Sequence, residues 1–107
     1  MSEGKKYDQG KTRYDLIPAI PLELLGKVYT MGAGKYEDHD WRKGIKWSRI
    51  FAAIMRHLWA FWMGRDIDIE SGLPHLAHAA WGCFALLEYM VTQRTYDDRY
   101  RAKVKKM

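Results

Sequence analysis

Two apolar runs at helical spacing, separated by one short acidic loop, restrict this chain to an all-α fold. From Ser48 to about Met63, Ile50, Phe51, Ile54, Leu58, Phe61 and Trp62 recur at intervals that give one wide apolar face, and Ser48 suits an N-cap. From Pro74 to about Gln93, Leu76, Ala80, Cys83, Leu87 and Met90 share a second face, with Pro74 opening the helix. So short a connection, Gly64 to Leu73, makes these helices antiparallel neighbours. Ala77, Ala79, Ala80, Gly82 and Ala85 are small enough to let another helix approach closely.

An earlier helix starts at Pro21 and carries Leu22, Leu25, Val28 and Tyr29 to about Met31, where Gly32 and Gly34 end it. Tyr36 to Trp47 reads as a loop, and a weaker fourth helix spans about Asp97 to Lys105. No strand-like alternation persists and no internal repeat is visible. The expectation is one domain over residues 1–107, a small bundle of three to four helices, with a flexible arm (1–15) and a basic tail (94–107). Within the arm, Lys11, Arg13 and Asp15 suit either a solvated lead-in or a substrate contact.

Charge narrows the function. The net charge is +5, but residues 94–107 hold six basic and two acidic groups, so +4 of it lies in the tail and the body is nearly neutral. A broad basic surface for wrapping DNA is not indicated, so nucleic acid is an unlikely partner. Five Trp, seven Tyr and three Phe are a heavy aromatic load for 107 residues and point to an oligomer. Cys83 is alone, which excludes an internal disulfide, and its apolar surroundings read as core. No stretch is long and apolar enough for a membrane span or signal region, so the expected location is the cytoplasm.

Chemistry concentrates in GRDIDIESGLPHLAH, residues 64–78. Asp66, Asp68 and Glu70 alternate into a Ser71-Gly72 turn, and His75 and His78 occupy one face of the next helix. Antiparallel packing lets His57 reach the same wall. Such a set can hold Mg²⁺ or Mn²⁺, or move protons to and from water. A structural reading competes, in which one carboxylate caps the helix and the histidines are core residues. A calcium loop is excluded, because Ser71 stands where glycine is needed and Ala77 where the closing glutamate belongs. Neither an H-E-x-x-H zinc motif nor an adjacent His-Asp pair on a helix is present. Around the second helix, Lys35, Arg42 and Arg56 offer cations for phosphates, and Trp41 or Trp47 a flat surface for a base.

Four segments carry a family likeness: GKTRYDLIP (10–18), GAGKYEDHDWRKGIKWSR (32–49), RHLWAFWMGRDIDIESGLPHLAHA (56–79) and LLEY (86–89). Over these the chain resembles the phage-borne dATP/dGTP diphosphohydrolase domain, a relative of the MazG-like all-α NTP pyrophosphohydrolases. The resemblance implies phage origin, and metal-dependent cleavage of a purine deoxynucleoside triphosphate to monophosphate and pyrophosphate. It also implies a dimer or tetramer. MazG-like enzymes hold magnesium with E-x-x-E and E-x-x-D pairs on successive helices; neither pattern occurs here in the second or third helix. His57 and the H-x-x-H of residues 75–78 take comparable places. The expected ligands are therefore His57, Asp68, Glu70, His75 and His78, with Glu70, His75 and His78 catalytic. Two other readings stand beside the enzyme, a non-catalytic nucleotide sensor and a nucleic-acid-binding module using the basic tail.

Overall fold

A computed structural model describes residues 2–101. Among them three α-helices and no strand occur: α1 (Ala19–Lys35), α2 (Trp47–Trp62) and α3 (His75–Thr92). Short 3₁₀ turns stand at Tyr14–Leu16, Asp40–Lys43 and Arg94–Tyr96. The all-α bundle is as expected, with three helices.

The α2–α3 hairpin is its spine. His57 meets His75 and His78, Ile54 meets Gly82, and Trp47 donates its indole N–H to the Gln93 carbonyl 3.2 Å away, so the two helices run antiparallel. A β-carbon on Gly82 would collide with Ile54, and that missing atom sets how closely the helices pack. Trp47, Ile50, Ile54, Ala79 and Tyr89 form the buried cluster. The Tyr89 hydroxyl donates to the Trp41 carbonyl, tying the loop before α2 to α3. The α1 helix lies against α3, with the Tyr29 and Trp81 rings 6.2 Å apart.

Five sequence expectations need correction. The apolar row Leu76, Cys83, Leu87 and Met90 is exposed; α3 buries Ala77, Ala79, Gly82, Ala85 and Tyr89 instead, because small side chains bring α2 nearer. Cys83 is thus a surface residue. The first helix begins at Ala19, with Pro21 in its first turn, and continues through Gly32 and Gly34, neither of which has the left-handed backbone of a terminating glycine. Ser48 is already helical, and a distant residue does the capping: the Asp98 carboxylate accepts from both the backbone N–H and the hydroxyl of Ser48. Asp97 likewise pairs with Arg99 and Arg101, and residues 97–101 are not helical; the rest of the expected fourth helix lies outside the described residues.

Two glycines act through conformation. Gly64 (φ +90°) closes α2, with Arg65 N–H returning to the Ala60 carbonyl and Gly64 N–H to Phe61. Gly44 (φ +108°) lies against the Tyr96 ring, where a β-carbon would clash.

Candidate active site

Backbone hydrogen bonds fold the acidic loop back on itself. Asp68 N–H donates to the Leu73 carbonyl, Gly72 N–H to Asp68 and His75 N–H to Asp66, so the chain enters α3 from a closed turn. Gly72 takes a positive φ of 73°, as its place in the turn requires. The turn holds Asp68 and Ser71 beneath His78.

Here the side chains interlock. Ser71 donates its one proton to Asp68 at 2.9 Å and accepts the Leu73 N–H at 3.1 Å. Its contact with His78 Nε2 at 2.7 Å must then be a bond that Ser71 accepts. Nε2 of His78 therefore carries a proton, and Nδ1 is left as the basic nitrogen. Asp68 Oδ2 stands 3.5 Å from the same Nε2, which reinforces that tautomer. The His57 ring stacks on His78 with centroids 4.7 Å apart, and its Nδ1 meets His75 Nδ1 at 2.9 Å, so those two nitrogens share one proton.

The electrostatics favour the neutral form of His57 and His78. Burial, then the neighbouring His78 and His75, pushes His57 below the usual imidazole range; burial does the same to His78 against the opposing pull of Asp68. For Asp68, burial would favour the protonated acid, but the Ser71 hydrogen bond and the facing imidazoles hold the carboxyl below its ordinary value. A neutral histidine with one free nitrogen beside an ionised carboxylate is an arrangement that accepts a proton from water.

His78 is also part of the wall of a cavity of about 660 Å³. Tyr29 from α1, Trp41 from the following loop and Trp81 from α3 supply its aromatic side, with ring centroids 6.0 to 6.3 Å apart. Lys35 also lines it, and Glu37, Asp38 and Asp40 are part of the same wall. His39, at φ +61°, turns the loop so that these residues line the opening.

The expected site residues divide accordingly. His57, Asp68, His75 and His78 come together, and Lys35 and Trp41 line the cavity. Glu70 does not join the imidazoles: its side chain is 80% exposed and pairs with Lys35 at 3.5 Å. Asp66 is exposed and contributes its carbonyl to the turn. Trp47 is buried in the core, which removes it as a base-stacking surface. Arg42 lies over the Trp41 ring and pairs with Glu88 at 3.3 Å, and Arg56 is exposed; neither lines the cavity. Sequence reasoning missed Tyr29 and Trp81 as cavity walls, although Trp81 stands one turn beyond His78 on the same face.

A divalent ion fits this arrangement poorly. Among the described residues no three His, Cys, Asp or Glu side chains are disposed to hold a metal, because the candidate donors are engaged by one another and by Ser71.

Comparison with known proteins places the chain. It is 36% identical over 96 residues to a dATP/dGTP diphosphohydrolase of Salmonella phage PMBT28, a match covering 90% of this chain and 33% of that protein. The chain thus spans about one third of its relative's length. No solved structure matches. Residues 1–99 match the family model described as dATP/dGTP diphosphohydrolase, N-terminal, and the chain belongs to that family.

Proposed function

We propose that this domain hydrolyses purine deoxynucleoside triphosphates, dGTP or dATP, between the α and β phosphorus atoms, releasing the monophosphate and pyrophosphate. The observation that carries the reading is the double membership of His78, which belongs both to the imidazole cluster and to the wall of the aromatic cavity. A cavity of about 660 Å³ has room for a nucleotide. Its relative's name, dATP/dGTP diphosphohydrolase, supplies the substrate class.

The residues divide the work by their chemistry. Tyr29, Trp41 and Trp81 offer the flat apolar surface on which a purine lies. A triphosphate carries about four negative charges, and Lys35, in the cavity lining, meets part of that charge. His78, oriented through Nε2 by Ser71 and Asp68, presents Nδ1 as the general base that takes a proton from the attacking water. The stacked His57 and its proton-sharing partner His75 support that ring and relay charge away from it. Mg²⁺ or Mn²⁺ would enter as part of the metal–triphosphate substrate, where it would neutralise phosphate charge.

Incubation of the pure protein with each of the four deoxynucleoside triphosphates and Mg²⁺ or Mn²⁺, followed by phosphorus NMR, tests the proposal. Monophosphate and pyrophosphate from dGTP or dATP is the expected result. Diphosphate plus orthophosphate, or binding without turnover under either metal, overturns it.

A further inference from the structure

The loop before α2 forms one wall of the cavity, and a side chain outside the cavity holds two of its residues. His39 and Trp41 are part of that wall, whereas Arg42 is not. The Arg42 guanidinium lies over the Trp41 indole, 4.7 Å from the ring centroid. Its Nε donates to His39 Nδ1 at 3.2 Å, and its Nη1 to the Glu88 carboxylate of α3 at 3.3 Å. One planar cation thus presents its face to a ring and its edge to an imidazole and a carboxylate, which the point charge of a lysine could not do together.

The backbone of this wall is fixed by other groups. The Tyr89 hydroxyl donates to the Trp41 carbonyl, and the Gln93 side-chain amide to the Arg42 carbonyl at 2.8 Å. Neither bond uses the Arg42 side chain. Tyr29 and Trp81 meet the Trp41 ring edge-on from the other walls of the cavity. The Arg42 side chain is half exposed and covers the indole from the solvent side. What the guanidinium adds is therefore the setting of two cavity side chains on an already anchored backbone. Without it the outer face of the indole meets water, and the ring can turn outward about its side-chain torsions. His39 would lose the bond that steadies it at φ +61°, a left-handed backbone uncommon outside glycine.

We propose that Arg42, held by Glu88, is a positioning residue for the base: it keeps the Trp41 ring turned into the cavity as the plate on which the purine stacks. This rests on the nucleotide reading above. Sequence alone suggests a phosphate contact for Arg42, but its N–H groups are directed to His39 and Glu88 and its face to Trp41. The advantage is preorganisation. A ring ordered in the free protein spares the nucleotide the cost of ordering it, so the base binds more tightly while the reaction at phosphorus is untouched. A cation over an exposed ring is a modest interaction, and the effect is correspondingly a few-fold.

Steady-state kinetics with dGTP or dATP, whichever the wild type cleaves faster, tests this in Arg42→Gln and Glu88→Gln. KM is expected to rise about three-fold or more in Arg42→Gln and by less in Glu88→Gln, with kcat retained. The inhibition constant of the matching deoxynucleoside rises in step, and that of inorganic tripolyphosphate stays where it is. In a Trp41→Leu background Arg42→Gln adds nothing further. A smaller rise in KM overturns the proposal, as does weakened tripolyphosphate inhibition, which would make Arg42 a phosphate contact. An Arg42 effect that persists in full without Trp41 overturns it too. A second measurement needs no turnover. The near-ultraviolet circular dichroism of the Trp41–Trp81 pair is expected to weaken in Arg42→Gln, with the helical signal unchanged, and the substitution to change nothing once Trp41 is leucine. An unaltered near-ultraviolet spectrum in Arg42→Gln overturns the proposal. A wild type that cleaves no triphosphate ends the hydrolase reading, while this spectrum still decides whether Arg42 sets the Trp41 ring. Should Arg42→Gln fail to fold, Glu88→Gln carries the same comparisons.

Discussion

Two faces of α3 differ in how much apolar side chain they carry, and the poorer one is buried. One presents Ala79, Gly82 and Ala85 with His75 and His78, and it is filled by α2, the closed turn and the cavity. The other presents Leu76, Cys83, Leu87 and Met90, and these stay exposed. Greater side-chain hydrophobicity did not decide which face turned inward. Close approach did, since a helix with small residues on one side lets its neighbour's Ile54 reach the backbone, and packing density outweighs area per residue there. The same small face leaves room for imidazoles, which need polar partners close at hand. The imidazole cluster and the tight helix contact therefore share one side of α3.

The largest break in this comparison comes from His78, the residue on which the filled face and the cavity converge. His78→Ala removes the proposed base and empties the partner sites of Ser71 and His57. We expect kcat for dGTP or dATP to fall by about a thousand-fold with helical circular dichroism retained. A loss under about ten-fold would take His78 out of the reaction and the proposed mechanism with it.

Gly82→Val attacks the same face at its narrowest point. Even one β-carbon there collides with Ile54, so a branched side chain must push α2 and α3 apart. A destabilisation of about 3 kcal/mol, read as a lower urea midpoint, is expected from overpacking of this kind. An unchanged midpoint would mean that the helices do not meet at Gly82.

Much of the filled face was legible beforehand, and the reasons are local. Helical spacing in α2 and α3 fixes which residues share a side, and a short connection fixes their antiparallel course, so the meeting of His57, His75 and His78 follows from spacing and connection. Glu70 shows the limit. Alternation along Asp66, Asp68 and Glu70 looks like three equivalent carboxylates, but a closed turn lets only Asp68 point under the histidines, while Glu70 reaches Lys35. Trp47 fails for another reason. Next to basic residues it reads as a stacking surface, and only the return of Gln93 across the hairpin shows that its indole is tied into the core. Contacts of long sequence separation, such as Asp98 capping α2, leave no periodic trace.

Ser71→Ala sharpens the assignment within the filled face. Ser71 has both lone pairs and its proton committed, to Leu73, His78 and Asp68, so it orients the histidine and is not a nucleophile. Removing the hydroxyl frees the His78 ring to change tautomer. The expected loss is about ten- to a hundred-fold in kcat at nearly constant KM. Abolished turnover together with a trapped covalent adduct on wild-type Ser71 would reverse this role.

The smallest effect is one of stability, and its sign follows from the neutral imidazoles. His57 and His78 lie below the ordinary value in the folded protein, chiefly through burial, whereas in the unfolded chain they titrate near about 6.5. Between the two values the unfolded state binds more protons, so stability rises with pH across that window. The contribution is complete above the unfolded value and is lost as the solution is acidified through the folded ones. Asp68, also held low, adds a loss of the same sign at still lower pH, below the usual carboxylate range. Thermal unfolding followed from pH 7.5 down to pH 5 is thus expected to show Tm falling by a few degrees, and the double variant His57→Gln, His78→Gln to flatten that slope. A slope that survives undiminished in the double variant would mean that His57 and His78 do not carry it, and the coupling of their burial to imidazole neutrality would fail.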